Sequence, residues 1–129
     1  MEGKSRGVIP VHTILLVDDS SFMRQWIKDI LHETNNYKVI AEASNGREAL
    51  LQYNSLRPDI VIMDITMDEM NGIQALRLLV KLYPGIKVVM CSSLGQNFYI
   101  DECLKIGAKA FFVKSNFKDL IKVLEKVVN

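Results

Sequence analysis

The sequence predicts an α/β protein built on a doubly wound parallel sheet of five strands, with helices on both faces. Three observations lead there. Five short runs rich in Val and Ile read as strands, and each precedes a stretch of helical period. The runs are apolar almost throughout, as strands covered on both faces are. Five β–α units in series imply right-handed crossovers, which distribute the helices over both faces.

Taken in order, residues 1–12 carry Gly3, Gly7 and Pro10 with no period, and read as a flexible tail ahead of a single domain over 13–129. Strands are expected at Thr13–Val17, Lys38–Ala43, Asp59–Met63, Ile86–Cys91 and Ala110–Val113. Helices are expected at Ser21–Thr34, Gly46–Ser55, Ile73–Tyr83, Asn97–Ile106 and Phe117–Val128. The last helix has the clearest pattern. Phe117, Leu120, Ile121, Leu124, Val127 and Val128 share one face, and Lys118, Lys122 and Lys126 another. Asn45 with Glu48 suggests a variant capping box, Pro58 and Pro84-Gly85 break helices before strands, and Gly107 suits a helix end. The chain ends with the fifth helix, so no output domain is expected.

Composition narrows the function. The chain has 129 residues, a size that suits one domain. A net charge of +1 gives no bulk attraction to nucleic acid or an anionic membrane. The apolar runs are strand-length, too short to span a bilayer, and no signal peptide opens the chain. Cys91 and Cys103 lie in apolar segments without a C-x-x-C pair, so buried, inert thiols in a cytoplasmic protein are expected. His12 and His32 read as structural, having no carboxylate or cysteine at ligand spacing.

The chemistry gathers at three strand ends, after Ile14-Leu-Leu-Val17, Ile60-Val-Ile-Met63 and Phe111-Phe-Val113. These carry Asp18-Asp19, Asp64 and Lys114. Ligands of open parallel sheets bind outside the carboxyl ends of the strands. Three carboxylates and an ammonium there suggest a divalent cation and a transferred phosphoryl group. Asp64, on a strand expected near the sheet centre, can act as a nucleophile and form an aspartyl phosphate. Mg2+ would neutralise the charge that otherwise keeps a phosphoryl donor from a carboxylate. Asp18 and Asp19 point differently, so one is expected to bind the ion directly and the other through water. Lys114 offers a fixed positive charge, and Ser92 or Ser93 a hydroxyl for a phosphoryl oxygen.

Asp18-Asp19, Asp64-Ile-Thr-Met-x-x-Met-Asn-Gly72, Met90-Cys-Ser92 and Lys114 resemble the receiver domain of two-component response regulators, over residues 13–129. Ser21-Phe-Met-Arg24 and Cys91-Ser-Ser-Leu-Gly-Gln96 are most similar to its single-domain, CheY-like chemotaxis branch. The resemblance implies a flavodoxin-like fold with strand order 2-1-3-4-5. It implies Asp64 as the phosphoacceptor for a histidine kinase. Asp19, Asp64 and the Thr66 backbone carbonyl would be direct Mg2+ ligands, with Asp18 acting through water. Lys114 would assist catalysis, and Ser92 and Phe111 would be the switch pair. Phosphorylation would draw Ser92 to the phosphoryl group and turn the ring of Phe111 inward. The face of the fourth helix, fifth strand and fifth helix would then change for a downstream protein partner. Such a protein is a switch that catalyses only its own phosphorylation and dephosphorylation, without direct contact to nucleic acid or membrane. A phosphorelay intermediate and a phosphorylation-independent interaction module remain open. A dehalogenase-type phosphotransferase would need Asp-x-Asp after the first strand, where Asp18-Asp19-Ser20 stands.

Three positions depart from the family pattern. Asp68 replaces a proline after Met67 and is expected to bring a carboxylate, beside Glu69, close to the metal site. Ser115 replaces a proline that commonly follows the lysine through a cis bond. A cis bond to a non-proline costs about 3–4 kcal/mol, so a trans bond and an altered turn are expected. Phe111 replaces a tyrosine and has no hydroxyl to offer a partner. The stripe Lys118, Lys122 and Lys126, with Lys105 and Lys109, reads as a solvated face or a dock for acidic peptides.

Overall fold

The structure, a computed structural model, describes residues 11–93, 97–114 and 119–128. Five strands, β1 (His12–Val17), β2 (Tyr37–Ala43), β3 (Ile60–Asp64), β4 (Val88–Ser92) and β5 (Ala110–Val113), form one sheet in the order β2-β1-β3-β4-β5. Every neighbouring pair is parallel. The helices are α1 (Ser21–His32), α2 (Gly46–Leu56), α3 (Gly72–Leu82), α4 (Ile100–Ile106) and α5 (Leu120–Val128). The expected doubly wound, flavodoxin-like architecture is therefore present.

The continuous apolar runs are explained by two core layers. Leu15, Val17, Val61, Met63, Val88 and Met90 pack with Ala49, Leu76, Leu79 and Cys103 of α2, α3 and α4. The alternate residues Ile14, Leu16, Ile60, Ile62, Val89 and Cys91 pack with Ile27 and Leu31 of α1 and Leu120 and Leu124 of α5. Strand side chains alternate between faces, so a strand with helices on both sides must be apolar at both parities. Each fully buried aliphatic side chain contributes roughly 1.5–3 kcal/mol. Cys91 and Cys103 fall in opposite layers, buried and unpaired with each other. No helix among the described residues is long and apolar enough to cross a membrane.

Several boundaries differ from expectation. β1 begins at His12, which shortens the expected tail, and residues 1–10 of that tail lie outside the described residues. β3 starts after Asp59 and includes Asp64, while β4 runs two residues later at its start and takes in Ser92. Gly85, at a positive φ of 88°, turns the chain there, and the Ile86 amide bonds the Tyr83 carbonyl. α1 stops at His32 because the Thr34 hydroxyl and amide both bond the Leu31 carbonyl. α4 is shorter than expected, because Asn97–Tyr99 form a 3-10 turn before it. The expected start of the last helix at Phe117, Lys118 of the basic stripe and the Lys114–Ser115 bond lie outside the described residues.

Side chains set the helix starts that frame the strand ends. The Ser20 hydroxyl accepts from the Met23 amide, and the Asn45 side chain from the Glu48 amide. The Glu48 carboxylate reaches back to the amide and hydroxyl of Ser44, so the variant capping box is present, one residue wide of the usual form. Asn71 and Gln74 form a full capping box at α3.

Candidate functional site

Parallel register brings the functional residues to one level. Val17 pairs with Met63, so Asp18 and Asp64 leave the sheet side by side. Asp64 itself pairs with Cys91, one residue before Ser92. Ser92 pairs with Val113, and the Lys114 amide donates to the Ser92 carbonyl. β3 is buried along its whole length, which places Asp64 at the middle of the sheet edge.

Asp18 is held at four points. Its amide donates to the Ala43 carbonyl at 3.0 Å, and its own carbonyl accepts from the Arg24 guanidinium. Its Oδ1 accepts from the Ser20 amide at 2.9 Å, and its Oδ2 from Lys114 Nζ at 2.7 Å. The same ammonium lies 3.3 Å from Asp64 Oδ2. Asp18 and Asp64 are buried, whereas Asp19 is exposed. One carboxylate oxygen from each of Asp18, Asp19 and Asp64 lies within 4.8 Å of the others.

Burial pushes the Asp64 carboxyl up to about 6. The Lys114 charge opposes that rise, and Asp18 and Asp19 add to it. For Lys114, burial disfavours the ammonium, but its hydrogen bond to Asp18 and the charges of Asp64 and Asp18 outweigh it and raise its pKa. Three carboxylates against one ammonium leave negative charge uncompensated. The donors are hard oxygens, which suits a small divalent cation. The residues present therefore fit a metal of this class.

The remaining expected site residues fall around this cluster. Ser92 Oγ is buried with no hydrogen-bond partner among the described residues. A buried unpaired hydroxyl costs roughly 1–3 kcal/mol, a cost that a group able to accept from it would relieve. Phe111 is half-buried against the core layer that holds α4. Thr66 is exposed two residues beyond Asp64. Asp68 and Glu69 are exposed, and neither is among the three acids whose oxygens lie within 4.8 Å of one another. Glu69 turns the loop at a left-handed φ of 59°. Lys105, Lys109, Lys122 and Lys126 are exposed.

Three contributors were given no role from sequence. Gly72 starts α3 against the end of β3, where its amide donates to the Ile65 carbonyl. A Cβ there would lie 2.0 Å from the Asp64 carbonyl oxygen, so only glycine fits. Arg24 sits in the quoted run Ser21-Phe-Met-Arg24, but its bond to Asp18 depends on how α1 docks. The Asn71–Gln74 box had a readable signal, Asn-x-x-Gln ahead of an apolar run.

Comparison with known proteins agrees with this geometry. The chemotaxis protein CheY of Thermotoga maritima is 50% identical over 101 residues, covering 78% of this chain and 83% of the relative. CheY of Bacillus subtilis is 43% identical over 119 residues, covering 92% and 98%. A chain of the CheX–CheY–BeF3–Mg2+ complex from Borrelia burgdorferi aligns with a TM-score of 0.87 at 31% identity. That alignment covers 98% of this chain and 95% of the other. Residues 14–125 match the response regulator receiver domain, and the chain belongs to that family.

Proposed function

We propose that this protein is a CheY-like cytoplasmic switch that accepts a phosphoryl group from a histidine kinase on Asp64, in a chemotaxis pathway. One observation carries the reading: the carboxylates of Asp18, Asp19 and Asp64 converge at the strand ends, where the Lys114 ammonium bonds Asp18 and lies against Asp64. The chemotaxis assignment rests on the CheY relatives.

Asp19, Asp64 and the Thr66 carbonyl would hold Mg2+, with Asp18 acting through water. When bound, the ion neutralises charge on the approaching phosphoryl group. Asp64 then attacks phosphorus with a carboxylate oxygen. A P–O bond forms and the P–N bond of the donor phosphohistidine breaks. The imidazole leaves with the electron pair and takes a proton from solvent. Lys114, already between Asp18 and Asp64, stabilises the charge on the transferred group. Ser92 gains the partner it lacks by donating to a phosphoryl oxygen.

Movement of Ser92 would let the Phe111 ring turn further into the layer it touches. The face of α4, β5 and α5 would then change, and a downstream protein would bind it. Two exposed lysines of α5, Lys122 and Lys126, favour an acidic partner segment there. The protein turns over only its own phosphoryl group, by its transfer and its hydrolysis, and acts on no separate substrate.

Transfer of labelled phosphate from a phosphorylated histidine kinase tests the reading. The expected label is base-labile, requires Mg2+ and vanishes in Asp64→Asn. Full labelling of Asp64→Asn would overturn it.

A further inference from the structure

Asp18 and Asp19 are adjacent, yet they are held very differently. Asp18 is buried and tied at both carboxylate oxygens. Asp19 is exposed, so packing does little to fix its carboxylate. Its direction therefore rests on its backbone. The Asp18 carbonyl and the Asp19 amide share one planar peptide unit, so whatever holds that carbonyl sets the plane from which the Asp19 side chain leaves.

The group that holds it is Arg24. One nitrogen of its guanidinium, Nη1, donates to the Asp18 carbonyl. Another, Nε, donates to Glu42 Oε1 at 2.8 Å. Glu42 lies on β2, and its second oxygen accepts from Lys28 of α1 at 2.8 Å. The Arg24 side chain is only 17% exposed. The rigid fork thus bridges the metal loop to the edge strand, and Lys28 holds the far end of the bridge. A lysine ammonium cannot make both contacts with the same fixed geometry.

We propose that Arg24, anchored by Glu42, is a positioning residue that aims Asp19 at the divalent cation. This rests on the reading that Asp18, Asp19 and Asp64 hold Mg2+. The two physical effects of Arg24 have opposite signs, which makes the inference decidable. As a nearby positive charge it repels the cation, so its removal would tighten binding. As a tether it preorients a ligand, so its removal weakens binding. Residues that orient metal ligands are worth 10–100-fold in affinity, well above what a screened charge contributes.

Calorimetric titration of the full chain with Mg2+ alone, without any phosphodonor, tests this. Arg24→Ala should raise the dissociation constant about tenfold. Arg24→Lys should fail to restore it despite keeping the charge. Glu42→Gln should weaken binding by less, and Arg24→Ala/Glu42→Gln should bind no worse than Arg24→Ala. Lys28→Ala, which removes a cation but leaves both Arg24 contacts, should bind as the wild type does or slightly tighter. Circular dichroism establishes that each variant is folded, and Arg24→Lys decides the matter if Arg24→Ala does not fold. Wild-type affinity in Arg24→Lys and in Glu42→Gln would overturn the positioning role and leave the metal site standing. Absence of Mg2+ binding by the wild type would instead overturn the reading on which it rests.

Discussion

The two ends of the same sheet treat polar groups in opposite ways. At the amino end, β1 and the segment entering β3 are joined by an exchange between Thr13 and Asp59. The Asp59 carboxylate accepts from the Thr13 amide and hydroxyl at 2.8 and 3.2 Å, and the Thr13 hydroxyl accepts from the Asp59 amide at 2.9 Å. The groups are exposed and answer one another. At the carboxyl end, Asp18 and Asp64 are buried around one ammonium, and Ser92 Oγ has no partner among the described residues. One end spends its polar groups on joining strands. The other leaves charge and a hydroxyl unmet among the described residues, at a cost in stability, which is the pattern expected where a ligand binds.

The largest break in this contrast should come from Gly72. A Cβ at that position would enter the Asp64 carbonyl, and the nearest atoms are backbone that cannot yield cheaply. Gly72→Ala should therefore lose about 3 kcal/mol in urea unfolding. A loss within error of zero would show that α3 can withdraw from the strand end.

The pH dependence of stability should sharpen the contrast next. The Asp64 carboxyl is raised by burial to about 6 in the folded state, against about 3.9 for an unperturbed aspartate. The folded protein binds that proton more tightly than the unfolded chain, so the contribution is full below the unfolded value and is lost as pH rises through the folded one. In EDTA, stability should fall between about pH 4 and pH 6, by about 3 kcal/mol. Asp64→Asn should flatten that segment, and saturating Mg2+ should restore stability above it. A wild-type profile parallel to that of Asp64→Asn would remove the claim that burying this carboxylate is costly.

The smallest effect should be at Ser92. Ser92→Ala removes a hydroxyl with no partner among the described residues, so the unphosphorylated fold should be unchanged or more stable by up to about 1 kcal/mol. The phosphoryl group should nevertheless fail to shift partner binding in that variant. A clear loss of stability on Ser92→Ala would mean that the hydroxyl is structural.

Much of this arrangement was legible in the sequence. Runs apolar at both parities can be buried only between two helical layers, so Ile14–Val17 and Ile60–Met63 announced the doubly wound sheet. Parallel strands of similar length end at one level, which is why Asp18, Asp64 and Lys114 meet. What escaped depended on tertiary docking. Arg24 reaches the Asp18 carbonyl only because of how α1 lies on the sheet. Phe98 and Tyr99 fall in the helix expected over Asn97–Ile106. They instead form a 3-10 turn with their rings in contact at 4.3 Å, and Phe98 is 72% exposed. The missing proline after Met67 suggested a carboxylate near the acidic cluster; Asp68 is exposed and is not one of the three acids that converge.

Intact-protein mass spectrometry after incubation with acetyl phosphate and Mg2+ tests the central claim most directly. The account predicts a single added phosphoryl group, mapped by peptide analysis to Asp64, absent in EDTA and absent in Asp64→Asn, while Asp59→Asn is labelled like the wild type. Labelling of Asp64→Asn to the wild-type extent, or no labelling of the wild type with Mg2+ present, would contradict it.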